Sequence, residues 1–228
     1  MTYAGLRSLV PPWLRRQVFH FETLILEHVT AFAAQLPPQA RLLDAGAGEG
    51  QYKKFFPRQQ YIGLDLAIGD TSWNYSSLDT LGDLLRLPFR DASFDAFLSV
   101  VTLEHVTDPA AALLELARTA RPGARLLLVA PAEWELHQHP HDYFRFTHYA
   151  LQHLLSRSGW RIDSLLPGGG FFRLLSRRLM NSLQFFPPWL IPLLAIPVVP
   201  AALLIAQLDF LDSRRDFTLG YIVYARKI

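Results

Sequence analysis

Residues 42–50 have the sequence LLDAGAGEG, in which an apolar run ends in a carboxylate and three alternating glycines follow. The apolar run predicts a buried strand, and the glycines allow a tight turn after it because they lack a Cβ atom. Such a turn lets a ligand approach the backbone closely and leaves N–H groups free to bind it. Asp44 precedes the first glycine by two residues, so its carboxylate disfavours a phosphate and favours an amino-bearing or cationic ligand.

Strand-like apolar runs alternate with helical segments, which predicts an α/β fold with a doubly wound, mainly parallel sheet. Helices cover both faces of such a sheet, so its strands are continuous apolar runs. We predict seven strands, at 41–44, 60–65, 78–81, 94–101, 124–130, 160–166 and 218–225. We predict helices bounded by proline or glycine at 13–36, 49–56, 109–120 and 147–158.

The predicted organisation has four parts. A helical cap at 1–38 precedes a core at 39–170, and an apolar helical insertion at 171–216 precedes the final strand of the core sheet at 217–228. Half of the 228 residues are apolar, which is enough for a large core. The N-terminal arginines are not followed by the apolar stretch and cleavage site of a signal peptide, so we expect none.

Charge and cysteine content limit the possible functions. A formal net charge of +2 gives no sign of a strongly basic surface, so we predict no nucleic-acid partner. The chain has no cysteine, which excludes disulfides, thiolate catalysis and cysteine-based metal sites.

A second carboxylate, Asp65, ends the next predicted strand. It follows Asp44 by about 20 residues, a spacing at which an acid commonly accepts hydrogen bonds from a ribose diol. Ligands of such sheets bind beyond the carboxyl ends of the strands, so both acids lie at the expected mouth of a site. The alternatives are local roles, with Asp44 as a helix-cap residue and Asp65 as a turn residue.

Five segments together resemble class I S-adenosylmethionine (SAM)-dependent methyltransferases. The first is LLDAGAGEG, whose D-x-G-x-G-x-G pattern resembles motif I, and the others are GLDL, GDLLRLPF, SFDAFLSVVTLEHV and RPGARLLLVAP. The similarity is greatest to the type-11 group, which includes the ubiquinone-biosynthesis methyltransferases, and covers about residues 41–166. The resemblance implies a SAM-binding, Rossmann-like core at 39–170 with an antiparallel last strand.

The resemblance also implies a role for each matching residue. Asp44 and the glycines would contact the methionine part of SAM, and Asp65 would hold the ribose hydroxyls. Asp83 would reach the adenine amine, unless it is a plain surface acid, and Leu84 would pack on the ring. Residues 99–103 would line the floor beneath the methyl group. The predicted cofactor-binding residues are therefore Asp44, Gly46, Gly48, Asp65, Leu66, Asp83, Leu84 and Ser99.

Histidines cluster after the fourth and fifth predicted strands. An oxygen or nitrogen acceptor can need a general base, and histidine is the usual base near neutral pH. His105 follows the fourth strand, either as such a base or as a structural histidine. Residues 131–147, PAEWELHQHPHDYFRFT, are polar yet rich in aromatics, as expected for a wall or lid of an acceptor pocket. The predicted catalytic residues are His105, His137, His141, Tyr143 and Arg145.

Two other interpretations of residues 131–147 stay open. Histidine and carboxylate density would suit a metal site, but spacings of two residues match no known ligand pattern, so we predict no metal. The segment could instead be a structural loop tied to the sheet by Arg145 and Asp142. Its HDYFRFT run resembles segments of methyltransferases encoded near cell-envelope glycan genes.

Residues 179–208 contain no charged residue, and arginines and aspartates flank them. The length would allow a membrane-spanning helix. Five prolines argue against one unbroken helix, and spanning would put the last strand across the bilayer from its own sheet. An interfacial hairpin avoids that problem, with its basic residues at anionic head groups. The alternatives are a soluble cover over the acceptor pocket and a dimer surface.

We therefore predict a SAM-dependent methyltransferase with S-adenosyl-L-methionine as cofactor. Its expected acceptor is a hydrophobic, lipid-linked or cell-envelope-related small molecule or glycan. One alternative is a nicotinamide-dependent oxidoreductase, although G-x-G-x-G spacing and Asp44 beside the pyrophosphate position count against it. The other is a non-catalytic SAM-binding interaction protein. We expect a cytoplasmic location, at the inner face of the membrane if residues 179–208 contact lipid; the sequence does not fix the oligomeric state.

Overall fold

The computed structural model describes residues 12–69 and 72–228. The chain divides into two compact units. The sheet unit comprises residues 27–166 and 221–228, and the helical unit comprises the described residues up to 26 together with 167–220. The predicted domain boundaries stay predictions, and residues 1–11 of the predicted cap lie outside the described residues.

Seven strands form one sheet in the order β3-β2-β1-β4-β5-β7-β6. The sheet is mostly parallel and its last strand is antiparallel, which confirms the predicted fold class. The strands are β1 (Arg41–Ala45), β2 (Gln60–Asp65), β3 (Thr80–Leu81), β4 (Phe94–Val100), β5 (Ala120–Pro131), β6 (Trp160–Pro167) and β7 (Gly220–Lys227).

The first strand lies at the centre of the parallel region. It pairs with β2 through the register Asp44↔Gly63 and with β4 through Asp44↔Leu98. Its carboxyl end therefore lies between the ends of two other parallel strands. The strand order reverses direction at β1, which is where ligands bind in doubly wound sheets.

Six α-helices are described: α1 (Pro12–Val18), α2 (His20–Gln35), α3 (Pro109–Thr119), α4 (His148–Arg157), α5 (Phe171–Asn181) and α6 (Ile191–Gln207). Short 3-10 turns occur at Lys53–Phe55, Tyr75–Ser77, Leu103–His105, Ser182–Phe185 and Leu208–Leu211. Asp108 caps α3 by accepting the Ala111 N–H at 3.0 Å, and Thr147 caps α4 by accepting the Ala150 N–H at 3.1 Å.

The core of the sheet unit is apolar and aromatic. Phe97 packs edge-on against Phe94 and Trp160, with ring centroids 5.7 Å apart in both pairs. Leu113 and Leu116 of α3 are buried in the same cluster. These contacts fix the strands on which the site residues lie.

One helix prediction was wrong, and another predicted helix is divided in two. Residues 49–56 form turns and the short 3-10 turn Lys53–Phe55 instead of a crossover helix. Positive φ angles at Gly48 and Gly50, 53° and 72°, continue the turn beyond the point where a helix was expected to begin. The predicted helix at 13–36 is two helices, α1 and α2, which meet between Val18 and His20.

The apolar insertion folds as two packed helices, α5 and α6, in the helical unit. It is interrupted between Asn181 and Ile191. However, Pro197 and Pro200 lie inside α6 without ending it. Each proline removes one backbone donor, and the remaining hydrogen bonds keep the helix continuous.

The end of the insertion is tied back to its start by Asp209. Its carboxylate accepts the Gly170 N–H at 3.1 Å and the Arg173 N–H at 3.0 Å, at the N-terminus of α5. The Asp212 carboxylate adds a bond from the Phe171 N–H at 2.8 Å. Because both ends are joined, α5 and α6 form a hairpin, which we call the apolar hairpin (residues 171–211).

Two arginines expected to face lipid head groups contact protein instead. Arg177 donates to Glu22 at 2.7 Å, and Arg173 donates to Gln17 at 2.6 Å. Both contacts lie within the helical unit. By length and composition, residues 191–211 could cross a membrane, and only 11% of an apolar 18-residue window within them is buried.

Candidate active site

The glycine turn after β1 is held against β2. The N–H groups of Gly46 and Ala47 donate to the Leu64 carbonyl at 2.9 and 3.0 Å. Gly46 has a φ of 86°, and a Cβ atom there would lie 2.1 Å from Cγ2 of Thr102. Only glycine can satisfy both conditions, which explains why the turn needs this residue.

Asp44 is buried at the carboxyl end of β1. Its Oδ2 accepts a hydrogen bond from the Tyr61 hydroxyl, while its Oδ1 has no hydrogen-bond partner within the described part of the chain. Burial raises the pKa of Asp44 to about 7; the Tyr61 bond opposes that shift and the charge of Asp65 adds to it. A buried carboxylate oxygen without a donor is costly, and a ligand ammonium group would satisfy it.

Asp65 contacts the same turn from the end of β2. One carboxylate oxygen accepts the Gly48 N–H at 2.9 Å, and the other accepts the Ala67 N–H at 2.8 Å. The structure therefore brings two of the predicted acids to one glycine turn. Leu66, which follows, is 48% exposed.

The residues predicted to contact adenine and the methyl group differ in exposure. Asp83 is exposed, and its carboxylate accepts the Leu85 N–H at 2.9 Å. It lies two residues beyond Leu81, which pairs with Asp65, so it is at the same sheet edge. Leu84 is buried in the core cluster, and Ser99 is buried within β4. The assigned SAM contacts of all these residues stay predictions.

Two of the predicted catalytic histidines meet. Nε2 of His105 lies 3.1 Å from Nε2 of His137, and their rings pack edge-on. Glu104 is fully buried beside them, with Oε1 at 3.7 Å from Nε2 of His105 and 3.9 Å from Nε2 of His137. Burial raises the pKa of Glu104 to about 8 and lowers the pKa of His105.

The segment after β5 is braced by an ion pair. Arg145 binds both carboxylate oxygens of Asp142, at 2.6 and 2.8 Å, and also donates to the carbonyls of Trp134 and Glu135. This pair holds the pKa of the Asp142 carboxyl well below its usual range. Arg145 therefore braces the loop, as the structural-loop interpretation proposed.

His141 and Tyr143 lie on the outer side of this loop. Nδ1 of His141 is 3.0 Å from the Tyr143 hydroxyl, and Tyr143 is exposed. The Tyr143 N–H donates to the Glu104 carbonyl at 2.9 Å, which attaches the loop to the segment after β4. This bond joins the two segments that supply His105 and His137.

The sequence does not identify two of the site residues, Tyr61, which binds Asp44, and Glu104. Thr102, which packs against Gly46, lies within the predicted floor at 99–103. For Glu104, an acid followed by a histidine after a buried strand is the available signal. Tyr61 acts through a contact that only the folded chain creates.

Comparisons with known proteins agree with this geometry. Residues 43–128 match the methyltransferase domain family. Over 106 residues the chain is 36% identical to demethylmenaquinone methyltransferase of Roseiflexus sp. (strain RS-1), covering 42% of this chain and 44% of the relative. It is 33% identical over 107 residues to malonyl-[acyl-carrier protein] O-methyltransferase of Serratia marcescens, covering 44% and 42%. These alignments span less than half the length of either relative.

Solved structures show the same fold. A SAM-dependent methyltransferase from Aquifex aeolicus superimposes with a TM-score of 0.54 and 16% identity, covering 100% of both chains. Residues 43–128 therefore match a methyltransferase domain, and the solved structure shares the fold of this chain. The matched family and the solved structures support S-adenosylmethionine as the cofactor.

Proposed function

We propose that this protein transfers a methyl group from SAM to a hydrophobic, lipid-linked or cell-envelope-related acceptor. The main support for methyl transfer is the buried Asp44 carboxylate beside the glycine turn. Its Oδ1 has no hydrogen-bond donor among the described residues. SAM supplies the methyl group on a sulfonium. The Asp44 carboxylate would accept hydrogen bonds from the ammonium group of SAM, and the Asp65 carboxylate would accept them from the ribose hydroxyls.

The same carboxylate argues against a dinucleotide. A pyrophosphate at the glycine turn would lie near the buried Asp44 carboxylate, whose Oδ1 has no donor among the described residues. Two anionic groups in a low-dielectric site repel strongly. The nicotinamide alternative therefore fits this turn poorly.

A hydrophobic acceptor is supported by the apolar hairpin. Its exposed side chains include Phe185, Trp189 and Ile196, and monomeric proteins rarely leave such apolar surface uncovered without a use. We infer that the hairpin contacts the membrane interface, which would give the enzyme access to a lipid-like acceptor at the inner face of the membrane.

Label transfer tests the proposed function. Purified protein incubated with methyl-labelled SAM and a total lipid extract is expected to place label in the organic phase. The Asp65→Ala variant, which removes the carboxylate at the glycine turn, is expected to place far less label there. Label found only with an aqueous metabolite extract would contradict the hydrophobic acceptor, and no label with either extract would contradict the transfer.

SAM affinity is expected to rise with pH because Asp44 must be ionised to hold an ammonium group. With a pKa of about 7 in the free protein, binding at pH 6 must displace a proton that is largely absent at pH 8. We expect SAM to bind about tenfold more weakly at pH 6 than at pH 8. Calorimetric titration at several pH values measures this ratio.

The Asp44→Asn variant is the control for that titration. Its amide keeps the shape of the carboxylate but cannot ionise in this range. We expect weaker binding that no longer strengthens between pH 6 and pH 8. A variant with the wild-type pH dependence would show that Asp44 does not hold the cofactor.

A further inference from the structure

Three potential ligand atoms converge at the Glu104–His105–His137 cluster. The two histidine Nε2 atoms are 3.1 Å apart, and Oε1 of Glu104 is 3.7 and 3.9 Å from them. Two nitrogens bound to one tetrahedral zinc ion at about 2.0–2.1 Å lie about 3.3–3.4 Å apart. The triangle is therefore close to the size that one metal ion requires.

The hydrogen bonds of the opposite ring nitrogens decide which tautomers are present. Nδ1 of His105 lies 2.6 Å from the His141 carbonyl oxygen, which can only accept, so Nδ1 carries the proton. Nδ1 of His137 lies 3.1 Å from the Glu135 carbonyl oxygen and 3.3 Å from Oδ2 of Asp142, which again only accept. In the neutral rings both Nε2 atoms therefore present lone pairs to each other.

Glu104 adds a third group of the same kind. Its side chain is fully buried, and neither carboxylate oxygen has a hydrogen-bond partner within residues 12–69 and 72–228. Three lone-pair groups facing one another without a hydrogen between them would repel. A positive charge must offset this repulsion, and either an added proton or a metal cation can supply it.

We propose that Glu104, His105 and His137 bind one divalent transition-metal ion. Two imidazoles and a carboxylate are the ligand set of catalytic zinc and non-haem iron sites, which keep open positions for a further ligand. The Nδ1–H bonds to the His141 and Glu135 carbonyls orient the two rings as outer-shell bonds do in such sites. This departs from the sequence-based prediction of no metal, because the ligands come from two segments.

At this position the ion could take part in the proposed methyl transfer. This catalytic role rests on the proposed function, whereas the metal site itself does not. An ion with an open position would bind a hydroxyl oxygen of the acceptor and lower its pKa, so that the proton passes to solvent before the oxygen takes the methyl group from SAM. The residues following β4 and β5 would then orient the acceptor through the ion. Histidine alone would act as a base in its absence.

Metal titration of the tag-free, EDTA-treated protein tests the site without SAM or acceptor. We expect one equivalent of Co²⁺ to bind with a visible absorption spectrum of a four- or five-coordinate site, and Zn²⁺ to displace it. Removing an outer-shell partner costs about 10–100-fold in metal affinity, so removing a ligand is expected to cost more than about 100-fold. Glu104→Gln and His137→Ala are the two ligand variants.

His139→Ala is the matched control, because His139 is exposed in the same loop but outside the cluster. It is expected to bind Co²⁺ as the wild type does. Circular dichroism and SAM titration on the same samples check that the variants are folded. The metal site would be disproved if the wild type bound less than one equivalent of Co²⁺, or if the ligand variants bound it with equal affinity. In either case a proton would supply the compensating positive charge. Neither result would affect the methyl-transfer proposal.

Discussion

Replacing Gly46 with alanine is expected to lower the free energy of unfolding by about 2–5 kcal/mol, the sum of two separate penalties. A φ of 86° places the residue in the left-handed region, which costs an L-residue about 1–2 kcal/mol. The new Cβ would also lie 2.1 Å from Cγ2 and 2.4 Å from Oγ1 of Thr102. Overpacking of this kind typically costs about 1–3 kcal/mol. Denaturant unfolding measures the total.

Gly123→Ala separates the two penalties. Gly123 also has a positive φ, 77°, but a Cβ atom there would meet nothing within 4 Å. We expect this control to lose only the backbone term, about 1–2 kcal/mol. The difference between the two variants is then the steric cost of Thr102.

A double-mutant cycle with Thr102→Gly checks the assignment, because removing that side chain removes the clash. Gly46→Ala should cost about 1–3 kcal/mol less in the Thr102→Gly background than in the wild type. Equal costs in the two backgrounds would mean that Thr102 does not limit the turn. Equal costs for Gly46→Ala and Gly123→Ala would lead to the same conclusion.

The central strands could be predicted to within a few residues. The runs at 41–44, 60–65 and 94–101 have apolar centres, and a strand buried on both faces favours that pattern. Pro109 and Thr147 likewise mark the starts of the helices observed as α3 and α4. Local chemistry alone determines these features, so the sequence was sufficient.

Long-range packing explains the errors. A helix was expected at 49–56, between the glycine turn and Pro57, but Gly48 and Gly50 adopt positive φ angles and the turn closes on β2 instead. Pro197 and Pro200 sit inside α6, where packing against α5 helps to keep a helix that propensity alone disfavours. Helix propensity is a weak prior whenever an element packs against a neighbour.

Some residues of the site could likewise be placed from the sequence, and others could not. Asp44 and Asp65 could be placed because strand ends in a parallel sheet share an edge. The meeting of Glu104 and His137 could not, since it depends on the 132–147 loop returning to donate the Tyr143 N–H to the Glu104 carbonyl. Spacing along the chain carries no information about that contact, and it is why a metal site was not predicted.

Replacing the aromatic residues at the end of the apolar hairpin is expected to abolish most membrane binding. Asp209 ties α6 back to the start of α5, so the connection between the helices is the free end of the hairpin. Phe185 and Trp189 lie there, 81% and 78% exposed. Aromatic side chains favour the interface between head groups and acyl chains.

The double variant Phe185→Ser/Trp189→Ser tests this by flotation with phosphatidylglycerol–phosphatidylcholine vesicles. Each aromatic side chain transferred out of water contributes about 1.5–3 kcal/mol, and 1.4 kcal/mol corresponds to a tenfold change in an equilibrium constant. Losing two such side chains should lower the partition coefficient by about 100-fold or more. The wild type is expected to float with the vesicles and the variant to remain in the dense fraction.

Leu114→Ser/Tyr149→Ser is the matched control, since it also removes two exposed apolar side chains, 53% and 72% exposed, but from helices of the sheet unit. Its flotation should equal that of the wild type, because those side chains lie outside the hairpin. Sedimentation of all three proteins without lipid distinguishes a dimer surface. If the hairpin variant changes only the oligomeric state and floats like the wild type, the exposed aromatics serve a second copy of the chain, and the membrane-contact proposal is wrong.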